Sequence, residues 1–300
     1  MQPEFARVYS VSFGRVTSEQ SEQPMNKLSE TASAARGRLR RIEGRHNPLV
    51  KLLRQAFAGA DCTSDGDCAV EGLRIVEEAI RSGMRFRAVF FRESEQDLAE
   101  RLLPQIGAHV ETLLLPNKIF DNAVPSETPQ GVAALVHLKE FSLEEIMERL
   151  QVGPVVVIAG LQDPGNLGTI LRSAEAFGSA GVILGEGTVS PFNAKVVRAS
   201  AGSIFRVPVI RGKLDAVSSQ LRAREIRLVA TSSHKGTPLG EARLTGPLAV
   251  FIGNEGSGLP RDLMTRMDEV VVIPHAPQVE SLNAGVATSI LLYEAARQRK

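Results

Sequence analysis

Long apolar runs are missing from this 300-residue chain. No stretch approaches the roughly 20 apolar residues that a membrane-spanning helix needs, and the first residues carry no apolar secretory core. Glu4, Glu19, Glu22 and Glu30 stand in the N-terminal segment, against a mitochondrial transit peptide, which avoids acids. The chain therefore reads as cytoplasmic, with no membrane partner. Cysteine is scarce, with only Cys62 and Cys68, both in the polar stretch GADCTSDGDC. With no metal-ligating neighbours the pair reads as free thiols in a reducing cell, the alternative being a small disulfide loop. No metal is expected. A charge imbalance is also lacking, since the formal net charge is +1, so overall charge does not announce a nucleic-acid partner. The dinucleotide fingerprint Gly-x-Gly-x-x-Gly and the Walker phosphate loop are both absent, which sets aside a nucleotide-dependent oxidoreductase.

What is present is enough apolar material, 43% of residues, to build packed cores in one large or two ordinary domains. Residues 1–35 are polar and aperiodic and read as a disordered extension. Residues 36–54 then hold seven Arg or Lys (Arg36, Arg38, Arg40, Arg41, Arg45, Lys51, Arg54) and one acid, Glu43. A local basic stretch attracts phosphate even in a neutral chain; the alternative is a solvated helix face.

Asn47-Pro48 opens a helix as N-cap and first helical residue. Helical spacing follows at Ala69–Ile80 and Leu98–Leu103. Strands are expected at Ala88–Phe91, His109–Leu115 and Gly131–Leu138. This pattern gives a small α/β domain over 36–140, followed by a linker helix within 141–153 (Phe141–Leu150). From 154 to 300 strands and helices alternate. The expected strands are Val155–Ala159, Gly181–Leu184, Val207–Ile210, Ile226–Thr231, Leu248–Ile252 and Val270–Ile273. The expected helices are Asn166–Phe177, Ala194–Ala201, Leu214–Ala223, Arg261–Met267 and Ser281–Arg299, the last with Ser281 as N-cap. Repeated βα units imply one mostly parallel sheet covered on both faces.

Three segments stand at the ends of these strands, where open α/β sheets bind ligands. The first is Asp163-Pro164-Gly165-Asn166-Leu167-Gly168-Thr169-Ile170-Leu171-Arg172. Alone it reads as an N-capping Asn166 and a surface Arg172. The second is Gly253–Leu259 (GNEGSGL), whose glycines permit close backbone approach to a ligand. The third runs from Ile273-Pro274 to Val279-Glu280-Ser281-Leu282-Asn283, where capping alone explains Ser281 but not its polar neighbours.

In this order the segments resemble the three motifs of the SpoU (TrmH-like) group of the SPOUT methyltransferases. Arg198-Ala199-Ser200-Ala201-Gly202 and Pro208 are also similar to that family, and residues 46–138 resemble its L30e-like RNA-binding domain. The resemblance implies a C-terminal trefoil knot, a homodimer with the site completed across its interface, and S-adenosylmethionine as cofactor. It further implies methyl transfer to a ribose 2′-hydroxyl of RNA, with ribosomal RNA as the expected substrate and transfer RNA as the alternative. Carried onto this chain, it assigns cofactor contacts to Thr231, Gly253, Ile273, Leu282 and Asn283. It gives catalytic roles to Arg172, Asn166, Glu255, Ser281 and Asn283, and RNA contacts to Arg172 and, with the basic lead-in, to Arg36, Arg38, Arg40, Arg41 and Arg45. His275 and Pro277 depart from the family's usual Met and Gly. They favour the rival reading, a non-catalytic RNA-binding protein of ribosome assembly on the same scaffold.

Overall fold

The computed structural model of the protein describes residues 38–59, 62–126 and 128–299. The 1–35 extension and Arg36 lie outside the described residues. The N-terminal half runs β1 (Leu39–Arg41), α1 (Pro48–Gly59), β2 (Asp67–Glu71), α2 (Leu73–Arg81), β3 (Arg85–Arg92), α3 (Gln96–Leu102), β4 (Glu111–Leu115), α4 (Asn117–Ala123) and β5 (Val132–His137). Its five strands lie in the order β1-β4-β3-β5-β2. The β1–β4 and β4–β3 pairs are parallel, while β5 runs antiparallel to β3 and β2. Side chains alternate across this sheet. Ala88 and Phe90 pack with Val50, Leu53 and Phe120 of α1 and α4, and Val89 and Phe91 pack with Val76, Ala79 and Leu102 of α2 and α3. Phe90 and Phe91 are fully buried, each contributing about 1.5–3 kcal/mol of transfer free energy.

The C-terminal half runs α5 (Leu143–Glu148), β6 (Val155–Ile158), α6 (Pro164–Ala176), β7 (Gly181–Leu184), α7 (Ala194–Ala199), β8 (Val209–Arg211), α8 (Leu214–Ala223), β9 (Arg227–Ser232), β10 (Thr237–Pro238), β11 (Leu248–Ile252), α9 (Arg261–Met264), β12 (Glu269–Val272) and α10 (Ala284–Arg297). Seven strands form one all-parallel sheet in the order β10-β12-β9-β11-β6-β7-β8. Val250 of β11 lies opposite Val156 on one side and Val229 on the other. The unbroken apolar runs of β6 and β11 are thus those of strands buried on both faces. Four neighbours, β12, β9, β11 and β6, end side by side, and their carboxyl ends carry the three motif loops.

The sequence misplaces several elements. Helical spacing over Ala69–Ile80 hides a strand, because Cys68, Ala69 and Val70 are buried in β2 and pair with β5. Gly72, at φ 102°, then turns the chain into α2. Helix α4 and strands β1 and β10 were not anticipated; they are too short to show a period. The expected linker helix shrinks to α5, fixed by a capping box in which Glu145 N donates to Ser142 Oγ and Ser142 N donates to Glu145 Oε2. Its Ile146 is fully buried in the core beneath the parallel sheet. Cys62 and Cys68 are joined in a disulfide rather than free. The turn between them, with Thr63 N donating to Asp67 O and Gly66 N to Thr63 O, brings their Cα atoms to 4.4 Å.

Ion pairs tie the two halves together. Arg198 Nη1 stands 3.1 Å from the buried Glu71 Oε2. Arg206 donates to Glu78 Oε2 (2.9 Å) on α2 and to Ser82 Oγ (2.8 Å) just after it, and also to both oxygens of Glu175 on α6. The hydrogen bonds from Arg206 hold the Glu175 carboxyl below its ordinary range, against a smaller opposing effect of burial. A depressed carboxylate stabilises the fold above its unfolded pKa, and that contribution is lost as pH falls through the folded value. Arg206→Gln is therefore expected to lower the melting temperature at about pH 7 and to lower it by less at about pH 3, as pH falls toward the depressed folded value of Glu175. Equal differences at both pH values in a calorimetric scan would contradict this.

Candidate functional site

Asp163, not Asn166, caps α6: its Oδ1 accepts from Asn166 N at 2.7 Å, and Pro164 occupies the first helical position. The capping reading of Asn166 is thereby corrected, and its side chain is free for another task. Asn166 is 8% exposed. Its Nδ2 donates to Glu255 Oε1 at 3.1 Å, and its Oδ1 accepts from Asn283 Nδ2 at 2.7 Å. One buried amide therefore links all three motif segments, which lie 89 and 117 residues away in the chain.

Asn283 also caps the last helix, since its Oδ1 accepts from Val286 N at 3.1 Å. The expected cap, Ser281, instead stands exposed in the loop before α10, among the residues lining the cavity described below. Both ends of the Asn283 amide are thus committed. Asn166→Leu removes both bonds while its partners Glu255 and Asn283, which are exposed, turn to water, so the cost is that of lost hydrogen bonds, about 0.5–1.5 kcal/mol. Denaturant melts should show a loss of that size; an unchanged midpoint would show that the link is not formed.

The loop after β11 is a closed turn. Asn254 N donates to Gly258 O (3.1 Å) and Gly258 N to Asn254 O (2.9 Å), while Asn254 Oδ1 accepts from Gly256 N and Ser257 N. Asn254 Nδ2 reaches back to Gly160 O at 2.7 Å, joining this loop to the one after β6. A Cβ on Gly253 would lie 2.4 Å from Gly258 C and 2.6 Å from Leu259 N, so only glycine fits there. Asn254 was missed in the sequence. An Asn within a glycine-rich turn, a frequent side-chain-to-backbone anchor, was the available signal.

The second and third segments, together with the loop after β9, enclose a cavity of about 640 Å³ that the first segment, Asn166 included, does not line, within the range of small-molecule sites. Thr231, Gly253, Ile273, Leu282 and Asn283 all line it, as do Glu255 and Ser281. Apolar walls come from Ile252, Leu259, Met264 and Val271, and hydroxyls from Ser232, Ser233 and Ser257. The lining includes the Glu255 carboxylate but neither Lys nor Arg. That charge pattern suits a cationic ligand with a flat apolar part and disfavours a phosphorylated nucleotide. A sulfonium nucleoside such as S-adenosylmethionine fits both features. His275 also lines the cavity, and its Nδ1 lies 2.7 Å from Ile273 O. A carbonyl only accepts, so the ring carries its proton on Nδ1 and fastens the turn that Pro277 stiffens. Among the described residues no group of three His, Cys, Asp or Glu side chains is arranged to hold a metal.

Arg172 does not line this cavity. It is exposed on α6 and makes no hydrogen bond or ion pair with a described residue. Six residues beyond Asn166, it emerges from a different side of the helix. The basic lead-in is mostly committed elsewhere. The Arg38 guanidinium donates to the carbonyls of Leu103, Ile106 and Gly107, Arg40 pairs with Glu111, and Arg41 pairs with Glu93. Arg45 lies apart from these, in a second cavity on the N-terminal half.

Comparison with known proteins decides the family. The model of the SpoU rRNA Methylase family matches residues 153–293, and that of an MRM3-like substrate binding domain matches residues 47–134. The chain is 31% identical over 255 residues to the 23S rRNA (guanosine(2553)-2'-O)-methyltransferase RlmP of Bacillus subtilis, covering 85% of this chain and 98% of that protein. The chain belongs to the SpoU rRNA methylase family. A further relative, the 23S rRNA (guanosine-2'-O-)-methyltransferase RlmB of Escherichia coli, is 33% identical over 77% of this chain and 98% of its own length. Among solved structures, the SpoU methyltransferase AviRb of Streptomyces viridochromogenes in complex with AdoMet superposes with TM-score 0.74 at 28% identity, covering 85% of this chain and 98% of that one. An AdoMet-bound rRNA methyltransferase of Sinorhizobium meliloti gives TM-score 0.73, also at 28% identity, over 87% and 98% of the two chains.

Proposed function

We propose that this protein transfers a methyl group from S-adenosylmethionine to a ribose 2′-hydroxyl of ribosomal RNA. The observation that carries the proposal is a carboxylate-bearing cavity with no Lys or Arg in its lining, walled by the second and third segments and the loop after β9. It is braced by Asn166 of the first segment, which bonds Glu255 and Asn283 without lining the cavity. When bound, the cofactor supplies a methyl group on sulfur that is already an activated electrophile. The chain's own contribution is placement, which in well-oriented systems supplies up to about 7–11 kcal/mol. Gly253, Ile273 and Leu282 hold the adenosyl part through backbone and apolar contacts, with Thr231 and Asn283 beside it. Glu255 is aimed by Asn166, which Asn283 in turn holds. Ser281 and Glu255 orient the ribose. In this reading the protein acts in the cytoplasm; no helix among the described residues is long and apolar enough to cross a membrane.

Arg172 reaches the site of a second copy. It stands with Thr169 and Ala176 on an exposed stripe of α6 beside α10, which is held there by contact of Thr169 with Gly285, of Ser173 with Ser289 and of Phe177 with Tyr293. α10 exposes Val286 (47%), Ile290 (37%) and Tyr293 (54%). These fall at i, i+4 and i+7, one helix face. Burial of this apolar stripe in a homodimer carries Arg172 into the interface. A guanidinium stays protonated in proteins, so Arg172 is an orienting group: it grips the RNA phosphate and the hydroxyl while the proton leaves to water or phosphate. In the same reading the segment from Ile273 to Asn283 threads between the loops after β9 and β11, forming the trefoil knot.

Incubating the protein with labelled S-adenosylmethionine and ribosomal RNA, then mapping 2′-O-methyl positions, tests the activity. Label in RNA at one ribose supports it. Cofactor binding by calorimetry with no transfer to any RNA would leave the non-catalytic reading that His275 and Pro277 favour.

A further inference from the structure

Positive charge in the N-terminal half is distributed unevenly. Arg40, Arg41, Arg81, Arg87, Arg92 and Arg101 are each paired with a carboxylate. Arg45, Arg54 and Lys118 pair with no carboxylate among the described residues, yet they converge. Together with Ile119 and Asn122 they line a cavity of about 450 Å³ where α1 meets α4. Three like charges facing one concavity repel one another, and with no acid to relieve them the site is built to receive an anion. We propose that this cavity grips a backbone phosphate of the RNA substrate, with Asn122 and Ile119 against the attached nucleotide. The inference rests on the RNA reading above and adds a site to it.

α1 and α4 cover the face of the five-stranded sheet opposite α2. The C-terminal half meets α2, through Arg206 against Glu78, and the edge strand β2, through Arg198 against Glu71. The cavity shares no lining residue with the cofactor cavity, so it adds a separate grip on the RNA.

The test is equilibrium binding of the full chain to a 23S ribosomal RNA transcript across a salt series, comparing Arg54→Gln/Lys118→Gln with a control of equal charge, Lys51→Gln/Arg74→Gln, outside the cavity. The cavity variant is expected to bind about 10–100-fold more weakly and to lower the slope of log affinity against log salt by about 1–2, whereas the control changes affinity by less than about threefold. S-adenosylmethionine affinity, measured by calorimetry, should match wild type in both. If wild type binds the transcript and the two variants weaken equally, the cavity site is overturned and the RNA reading stands. If wild type itself fails to bind at low salt, the RNA reading falls, and this site with it.

Discussion

Arg172→Ala is expected to lower the rate of methyl transfer by about 10²–10³-fold, the loss usual for one removed transition-state donor, without changing affinity for S-adenosylmethionine. The reasoning is geometric. Arg172 is exposed, bonded to no described residue, and absent from the cavity of its own chain. It therefore cannot support the cofactor pocket, and its loss leaves the link from Asn166 to Glu255 and Asn283 untouched. What is lost is the planar fork that fixes phosphate and hydroxyl together. Lysine keeps the charge but not the fork, so Arg172→Lys should recover only a minor part of the rate. Near-wild-type turnover in Arg172→Lys would contradict the orienting role. A fall in cofactor affinity in Arg172→Ala would place the residue in the pocket instead.

Gly253→Val should act on the other half of the reaction. The added Cβ meets backbone atoms of Gly258 and Leu259, which cannot rotate away as a side chain could. The loop must open, breaking the pairing of Asn254 with Gly258 that holds it closed. Overpacking of this kind costs about 1–3 kcal/mol, and here the displacement falls on the wall of the cavity. S-adenosylmethionine affinity should drop by about 10–100-fold or more, while the circular dichroism of the sheet is retained, because β11 ends before the loop. Unchanged affinity in a calorimetric titration would show that the cavity is not the cofactor site.

How far the sequence could be read depended on the kind of feature. The parallel sheet was legible because β6, β7 and β11 are unbroken apolar runs, and Gly181–Leu184 and Leu248–Ile252 fall where expected. The three segments were legible as motifs, and their convergence follows from β12, β9, β11 and β6 being neighbours. Strand β2 was not legible, since burial and pairing with β5 overrode a helical spacing. The role of Asn166 was hidden as well. A good N-cap residue near a helix start reads as a cap, and only the structure shows Asp163 in that place. The fate of the basic lead-in was equally hidden, because the partners of Arg38, Arg40 and Arg41 lie 52 or more residues away. Composition counts charges and does not reveal which of them are already paired. The cysteines were misread for a related reason: the turn that joins them is a matter of backbone hydrogen bonds and not of spacing.

The central claim is that one copy supplies the cavity and its neighbour supplies the arginine. It is tested most directly by mixing two variants, Arg172→Ala and Gly253→Val, unfolding and refolding them together, and measuring methyl transfer. The S-adenosylmethionine concentration is one that fills the wild-type cavity but leaves the Gly253→Val cavity empty, so that each variant alone is inactive. In a mixed dimer one of the two sites pairs an intact cavity with an intact arginine, so statistical mixing should restore about a quarter of wild-type activity. If the mixture forms dimers yet remains as inactive as its components, Arg172 does not act across an interface and the account is wrong.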